Sequence, residues 1–241
     1  MRVVNIIPMG GIGARFKNTK INVPKPLVKH NGIEIFVESI NSFPKANFNI
    51  FICREEHKLF QIDKVINKNF KNFKILYLKT NTSGQASTAY KAKKYLRKND
   101  FIRVISCDVY LKFKNFKFLD GNSNPFDVLV ISAKPTKQEL LKPEHFGWVT
   151  FNNNNLITKL ICKKKPKLIN SNTEIIVGAF IFKNKSLFVN IIEALFSKNI
   201  KINNEFYIDM AAKLAIDLGY KVMNKSTSKY LNLGDPNNIN F

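Results

Sequence analysis

A glycine-rich loop follows a short apolar run near the amino terminus of the chain. Gly10, Gly11 and Gly13 precede Arg15, and Lys25 stands between two prolines further along the sequence. Glycines let backbone N–H groups approach phosphate oxygens, which a Cβ would obstruct. An arginine binds terminal phosphates through two parallel hydrogen bonds, and a lysine flanked by prolines offers a fixed point charge. The combination favours a phosphate-binding site, whereas the glycines alone would more often indicate an ordinary turn.

The spacing of this loop differs from that of two common nucleotide-binding loops. The GxxxxGK[ST] pattern of a Walker A loop is absent, and the glycines do not form GxGxxG with an acidic residue at the end of the second strand. Kinase, ATPase and dehydrogenase functions are therefore disfavoured.

The opening segments GGIGARF (10–16) and VPKPL (23–27) resemble the signature of the sugar-phosphate nucleotidyltransferases. In that family the first strand ends in a GxGxR loop, which is followed by a lysine in a PKP-type segment. Later segments resemble the family in the same order, so that the likeness covers essentially the whole chain. They are TSGQASTA (82–89), VISCD (104–108), HFGWV (145–149), GAFIF (178–182), NEFYID (204–209) and YLNLGDP (230–236).

The resemblance implies a nucleotide site in the first half of the chain. Gln85 would pair with a base edge, Arg15 and the glycine loop would hold the departing pyrophosphate, and Lys25 would steady the α-phosphate. Asp108 ends a strand, where a carboxylate is well placed to hold Mg²⁺, although such a residue is a simple cap about as often. The implied catalytic residues are Arg15, Lys25 and Asp108, and the implied nucleotide-binding residues are Met9, Gly10, Gly11, Gly13, Arg15, Lys25, Gly84 and Gln85.

The resemblance implies an acceptor site in the second half. There CKKKP (162–166) replaces the Glu-Lys pair of the family. The lysine that meets the acceptor phosphate is therefore open among residues 163–165, and the run would equally suit a solvated hairpin edge. The implied acceptor-binding residues are Gly147, Lys163, Lys164, Gly178 and Glu205.

Two further departures from the family concern the metal site and the acceptor pocket. Asn232 stands where a second metal-binding Asp is common. Its carbonyl can ligate Mg²⁺ beside Asp108, and Asp235 is the rival ligand. Trp148 replaces a smaller aromatic residue and is expected to reshape the acceptor pocket.

The implied reaction transfers a nucleoside monophosphate from a nucleoside triphosphate, with a pyrimidine favoured, to a sugar 1-phosphate or another small phosphomonoester. Pyrophosphate would be released, Mg²⁺ would be the cofactor, and the product would serve surface-polysaccharide precursor synthesis. The acceptor phosphate is a dianion near neutral pH, because its second pKa is about 6. No general base is required, and we expect structural or exposed roles for His30, His57 and His145.

Other functions remain as alternatives. A cytidylyltransferase for a non-sugar phosphate, such as phosphocholine or a phosphorylated amino acid, would share these motifs. A glycosyltransferase would normally show an Asp-x-Asp pair, whereas Asp108 is followed by Val109 and Tyr110. An inactive nucleotide-binding module would explain Asn232. A basic RNA-binding protein would explain the charge, but the phenylalanines fall mostly in apolar runs, which core packing accounts for.

The elements that position these residues alternate in the first half of the chain. Short apolar runs predict buried strands, and apolar residues at helical spacing predict helices between them. Such alternation indicates a parallel sheet with right-handed crossovers. The predicted strands are 2–9, 48–53, 75–78 and 101–107, and the predicted helices are 35–43 and 87–96.

Strands dominate beyond residue 120, with a hairpin turn at Asn152–Asn155. The predicted strands are 126–133, 147–151, 157–162 and 175–182, and the predicted helices are 187–196 and 205–218.

Together with the resemblance, this pattern predicts a single-domain α/β fold. The fold would be Rossmann-like (GT-A-like), with a mixed, mostly parallel central sheet flanked by helices. Residues 1–120 would form the nucleotide-binding half and residues 121–241 the acceptor-binding half.

The composition is that of an ordinary globular protein with an excess of basic residues. Of 241 residues, 45% are hydrophobic and 23% charged, which excludes wholesale disorder, collagen and coiled coil. The 39 Lys and Arg against 17 Asp and Glu give a net charge of +22. This charge would suit nucleic acid, an anionic membrane surface or a phosphorylated substrate, and an AT-rich coding sequence would also produce it.

The chain is expected to be soluble and cytoplasmic, because no run of 18 apolar residues and no secretory leader is present. Cys53, Cys107 and Cys162 lack CxxC spacing, which indicates buried free thiols in a reducing compartment and disfavours a zinc site. The expected partners are a nucleoside triphosphate and a small phosphorylated acceptor, without specific nucleic acid or membrane insertion. A homo-oligomer is compatible with this interpretation.

Overall fold

The computed structural model of the chain describes residues 1–16, 22–115 and 125–239. Within these ranges the chain forms thirteen strands and six α-helices, joined in places by 3-10 turns. The strands are β1 (Val3–Met9), β2 (Lys29–His30), β3 (Ile33–Glu34), β4 (Phe48–Arg54), β5 (Phe73–Leu78), β6 (Phe101–Ile105), β7 (Val109–Lys112), β8 (Val128–Ala133), β9 (Gly147–Phe151), β10 (Ile157–Cys162), β11 (Thr173–Phe182), β12 (Val222–Ser226) and β13 (Lys229–Asn232). The helices are α1 (Ile35–Asn41), α2 (Ile62–Asn69), α3 (Gln85–Tyr90), α4 (Lys137–Leu141), α5 (Lys185–Ser197) and α6 (Ile208–Asp217).

The N-terminal part of the main sheet is parallel and places β1 near its centre. β1 pairs in parallel with β4 on one side and with β6 on the other, and β5 continues the sheet beyond β4. All residues of β1 are buried, as expected for a strand covered on both faces. The predicted alternation of strands and helices is confirmed in this half. The carboxyl ends of β1 and β6 lie side by side, at the edge where open α/β sheets bind ligands.

The C-terminal part joins the same sheet mainly through antiparallel strands. β11 pairs with β9 through its first residues and with β6 through its last residues. β8 also pairs with β11, and β12 runs parallel to β8. β9 and β10 form the hairpin predicted around Asn152–Asn155. One mixed sheet, in the order β10-β9-β11-β6-β1-β4-β5, therefore carries strands from both halves of the chain.

A small antiparallel ladder between β7 and β13 brings the end of the chain to the centre of the molecule. Its register places Asn232 opposite Val109, directly after Asp108. The sequence patterns did not predict β7 or β13, because each has only four residues. This ladder, rather than the main sheet, sets the position of Asn232.

Helices pack on both faces of the sheet, as predicted. Ile6 of β1 belongs to the cluster that α3, α5 and α6 cover, where Phe188 and Ile208 are fully buried. The next residue, Ile7, belongs to the cluster on the opposite face, with Phe36 from α1. The β1 strand thus contributes to both layers, and its end is held from both sides.

Helix α6 begins at Ile208 instead of residue 205, because the backbone before it is hydrogen-bonded elsewhere. Phe206 donates its N–H to the Ser83 carbonyl oxygen at 2.7 Å and accepts from the Ala86 N–H at 2.9 Å. These bonds hold an extended segment against the turn that precedes α3. Helix α3 also ends earlier than predicted and continues as a 3-10 turn, and α2 was not predicted.

The cysteines Cys53, Cys107 and Cys162 are buried free thiols, as predicted. Burial raises the pKa of Cys107 to about 12, and the neighbouring Asp108 charge acts in the same direction. This thiol therefore stays protonated near neutral pH. In the part of the chain that the structure describes, no helix is long and apolar enough to cross a membrane.

Candidate active site

A cleft of about 650 Å³ opens at the carboxyl ends of β1 and β6. Residues of both halves of the chain line it, which agrees with a site for two substrates. Among the described residues, its lining leaves out Lys164, Asn232 and Asp235. The predicted site residues that line the cleft are Met9, Gly10, Gly11, Gly13, Arg15, Lys25, Gly84, Gln85, Asp108, Gly147, Lys163, Gly178 and Glu205.

The glycine loop leaves space where a phosphate would approach. Among the described atoms, none lies within 4 Å of the position that a Cβ on Gly11 would take. Gly13 has a φ of +67°, and a Cβ there would lie 3.0 Å from the Cβ of Lys25. Glycine suits this left-handed backbone and this close approach. Arg15 follows on a 3-10 turn, where it is exposed and lines the cleft.

Lys25 and Asp108 form an ion pair in the cleft. The two side chains are 24% and 18% exposed, so water screens the pair only in part. Burial disfavours the ammonium charge, but the attraction and hydrogen bond of Asp108, together with Cys107, outweigh this effect, and the pKa of Lys25 is raised. Lys25 is therefore a cation next to the glycine loop, where it can neutralise phosphate charge.

Asn232 and Asp108 converge at Gly234. The Gly234 N–H donates to Oδ1 of Asn232 at 3.0 Å. A Cβ on Gly234 would strike Oδ2 of Asp108 and lie 3.1 Å from Oδ1 of Asn232. The glycine therefore lets one carboxylate oxygen and one amide oxygen approach the same stretch of backbone.

This oxygen pair fits Mg²⁺. The ion prefers oxygen ligands and usually takes one or two carboxylates, with water and phosphate oxygens in its other positions. The carbonyl oxygen of Asn232 has a second lone pair besides the one that accepts from Gly234. Within the described ranges, His, Cys, Asp and Glu side chains form no cluster of three that could hold a metal.

Asp235, the rival metal ligand, is engaged by other partners. Its Oδ1 accepts the N–H of Asn237 at 3.0 Å, which caps the last 3-10 turn. Its Oδ2 accepts from the Gln138 side chain at 3.2 Å. The geometry favours Asn232 over Asp235 as the partner of Asp108.

The turn before α3 forms the wall assigned to the base. Gly84 has a φ of +109°, and a Cβ there would lie 2.7 Å from both N and O of Phe206. Only glycine fits so close to a neighbouring backbone in this conformation. Gln85 donates its side-chain amide to Oγ of Ser106 at 2.9 Å. A glutamine amide has a second N–H and a carbonyl oxygen, which can meet a base edge.

Ser106 is a site residue that sequence reasoning missed. It lines the cleft, and its N–H donates to the Gly178 carbonyl oxygen at 2.9 Å. Gly178 has a φ of +72°, and a Cβ there would lie 2.5 Å from the Ser106 Oγ. Gly178 therefore makes room for the hydroxyl that orients Gln85, and its contact with an acceptor stays a prediction. The position of Ser106, just before Asp108 at a strand end, was the available signal.

Lys163 is the residue of the CKKKP run that lines the cleft. Its φ of +54° is uncommon for a residue other than glycine or asparagine, and such strain is concentrated at functional sites. Its Nζ donates to the His145 carbonyl oxygen and lies 5.4 Å from the centre of the Tyr207 ring. Lys164 is exposed. Contact of Lys163 with an acceptor phosphate stays a prediction.

Two carboxylates of the segment that leads into α6 line the cleft. Glu205, the predicted acceptor contact, is exposed, and burial together with a hydrogen bond to Glu205 raises the pKa of Tyr207. Asp209, which sequence reasoning did not select, is 9% exposed and also lines the cleft. Its place in the same acidic segment was a signal, but its burial depends on distant strands.

Trp148, which was expected to reshape the acceptor pocket, does not line the cleft. Its side chain is 1% exposed and packs in the core, and its indole N–H donates to the Pro143 carbonyl oxygen at 2.8 Å. Side chains alternate along β9, so that Trp148 faces the core cluster behind the strand.

A sequence model of the nucleotidyl transferases matches residues 4–230. The chain is also 28% identical, over 191 residues, to the bifunctional protein GlmU of Methanococcus aeolicus. That match covers 79% of this chain but 42% of the relative, so the chain spans less than half of the relative's length.

Two solved structures share the fold over nearly their whole length. The nucleoside-diphosphate-sugar pyrophosphorylase from Vibrio cholerae RC9 is 20% identical, with a TM-score of 0.77 and 97% of each chain covered. The inositol-1-phosphate CTP transferase from T. maritima is 18% identical, with a TM-score of 0.75, and the match covers 100% of this chain and 92% of that one. The predicted single-domain α/β fold is confirmed by these likenesses. Because the family model spans nearly the whole sequence, the chain belongs to the nucleotidyl transferase family.

Proposed function

We propose that the protein transfers a nucleoside monophosphate, with a pyrimidine favoured, to a sugar 1-phosphate or another small phosphomonoester and releases pyrophosphate. One observation carries this proposal: the ion pair of Lys25 and Asp108 lies beside the glycine loop, and Asn232 reaches the same point from the end of the chain. Residues 1–120 would supply the nucleotide half and residues 121–241 the acceptor half. The product would be a precursor of surface polysaccharide.

The proposed reaction needs little covalent help from the protein. An oxygen of the acceptor phosphate attacks the α-phosphorus in line and forms the new P–O bond. The bond from the α-phosphorus to the bridging oxygen breaks, and pyrophosphate leaves with the electron pair. The acceptor phosphate is already a dianion near neutral pH, since its second pKa is about 6. Catalysis therefore rests on positioning and on neutralisation of charge.

Different residues of the cleft would position the substrates and neutralise their charge. Arg15 and the backbone of the glycine loop would hold the departing pyrophosphate, and Lys25 would neutralise the α-phosphate. Lys163 would bind the acceptor phosphate at the other end of the cleft. Asp108 and Asn232 would hold Mg²⁺, which when bound supplies positive charge to the phosphate oxygens.

The comparisons and the core support this function over its rivals. One structural neighbour is named for CTP and an inositol phosphate, and another for nucleoside-diphosphate sugars. The first name agrees with a pyrimidine nucleotide and a phosphorylated acceptor. An RNA-binding surface would need exposed aromatic side chains. Phe36, Phe51 and Phe180 are instead fully buried, which favours core packing as the reason for the many phenylalanines.

The test is pyrophosphate release with Mg²⁺ and each of CTP, UTP, dTTP, ATP and GTP, against sugar 1-phosphates, inositol 1-phosphate, phosphocholine and phosphorylated amino acids. We expect release that requires one triphosphate and one acceptor together, and no release from Lys25→Ala. Triphosphate binding by calorimetry without release across the panel would instead support an inactive binding module.

A further inference from the structure

The acceptor end of the cleft holds a buried carboxylate that the proposed reaction does not use. Asp209, in the first turn of α6, is 9% exposed and lines the cleft. A Cβ on Gly147 would strike its Oδ2 and lie 3.1 Å from its Cγ. The carboxylate therefore packs directly on the backbone at the start of β9, and the glycine makes room for it.

Within the described ranges, the side-chain donor to this carboxylate is the Cys162 thiol, 3.8 Å from Oδ2. The backbone N–H of Asp209 itself is its other donor. A thiol is a weak hydrogen-bond donor. Burial raises the pKa of Asp209, and the charge of Lys163 opposes that shift. A buried carboxylate in such surroundings is destabilised, and a ligand that donates a hydrogen bond to it recovers free energy.

The neighbours of Asp209 indicate which part of a ligand would reach it. Lys163 and Asp209 both line the cleft, and the charge of Lys163 opposes the rise in the pKa of Asp209. An acceptor whose phosphate meets Lys163 carries its remaining atoms past Asp209. A hydroxyl group there donates a hydrogen bond to the carboxylate, whereas a quaternary ammonium group has no N–H to donate.

We propose that Asp209 determines acceptor specificity by accepting a hydrogen bond from a hydroxyl group of a sugar or polyol phosphate. Gly147 leaves space for the carboxylate, and the Cys162 thiol competes weakly with such a hydroxyl. The acceptor class is thus hydroxylated phosphomonoesters rather than phosphocholine. This inference rests on the proposed function, because it names the acceptor class for the same cleft.

Calorimetry on the full chain tests the proposal, with glucose 1-phosphate and myo-inositol 1-phosphate as hydroxylated probes and phosphocholine as the probe without a hydroxyl. Asp209→Ala should weaken binding of the hydroxylated phosphate by about 100-fold, and Asp209→Asn, whose amide oxygen still accepts a hydrogen bond, by about 10-fold. Binding of CTP and of phosphocholine should not change. Asp217→Asn, at the exposed end of the same helix and paired with Lys213, is the matched control and should bind every probe like the wild type.

Equal weakening for phosphocholine, or unchanged binding of the hydroxylated probes to a folded variant, would overturn the assignment. Wild-type protein that binds no hydroxylated probe, or prefers phosphocholine, would overturn it too. Pyrophosphate release is measured separately. If acceptor binding depends on Asp209 but no pyrophosphate is released, the role of Asp209 is supported and the proposed transfer is refuted. If pyrophosphate is released but acceptor binding does not depend on Asp209, the transfer is supported and the role of Asp209 is refuted.

Discussion

Replacement of Gly84 by alanine tests the junction between the turn assigned to the base and the segment that leads to α6. Gly84 has a φ of +109°, and a Cβ there would lie 2.7 Å from N and O of Phe206. Both are backbone atoms. They belong to the hydrogen bonds that join Phe206 to Ser83 at 2.7 Å and to Ala86 at 2.9 Å. Relief of the clash must therefore stretch these two bonds.

The expected cost follows from these contacts. An alanine in such a sparsely populated backbone region costs about 1–3 kcal/mol. Weakening of two backbone hydrogen bonds adds about 0.5–1.5 kcal/mol each. We expect Gly84→Ala to lower the free energy of unfolding by about 2–6 kcal/mol. Gly219→Ala is the control, because Gly219 has a φ of +83° with no described atom within 4 Å of its Cβ position, and should cost about 1–2 kcal/mol.

Urea denaturation followed by far-UV circular dichroism measures both variants under the same conditions. We expect a lower midpoint for Gly84→Ala than for Gly219→Ala, with similar slopes. The KM values for the triphosphate and for the acceptor should both rise in Gly84→Ala, because the alanine pushes the turn and the segment before α6 away from each other. If Gly84→Ala is no less stable than Gly219→Ala, the close contact with Phe206 is not rigid and the argument fails.

Three further substitutions test the chemistry. Lys25→Met should lower kcat by about 10²–10³-fold with the fold intact, and near-wild-type kcat would remove this lysine from the mechanism. Asn232→Ala should raise the Mg²⁺ concentration needed for half-maximal rate by about 10-fold or more, whereas Asp235→Asn should not, and the opposite pattern would exchange their roles. Lys163→Ala should raise the acceptor KM by about 10–100-fold, with Lys164→Ala as its exposed control, and equal effects would refute the choice of Lys163.

The sequence predicted best the parts of the site that depend on local structure. The glycine loop and Asp108 each follow an apolar strand, and Lys25 lies between two prolines. Their meeting in one cleft then follows from the parallel pairing of β1 with β6. The resemblance to the sugar-phosphate nucleotidyltransferases then identified the later site segments, which occur in the same order as in that family.

The remaining parts depend on packing between distant segments. Trp148 lies in the core because of the side to which β9 turns it, and no local pattern decided between its two faces. Asp209, on α6, packs against Gly147 of β9, which is distant in sequence. The start of α6 depends on the bonds of Phe206 to the turn at Ser83. Such choices need the tertiary structure, since local propensity is only a weak guide to them.

The small ladder of β7 and β13 also affects the order in which the parts of the proposed site form during synthesis. Asp108 lies near the middle of the sequence, and Asn232 reaches it only when β13 has paired with β7. Chains usually fold from their N-terminal segments as they are synthesised. A growing chain would thus have its glycine loop and the Lys25–Asp108 pair before Asn232, the proposed second metal ligand, is in place. It could hold a triphosphate early, but it would complete the proposed transfer site only once its late strand is in place.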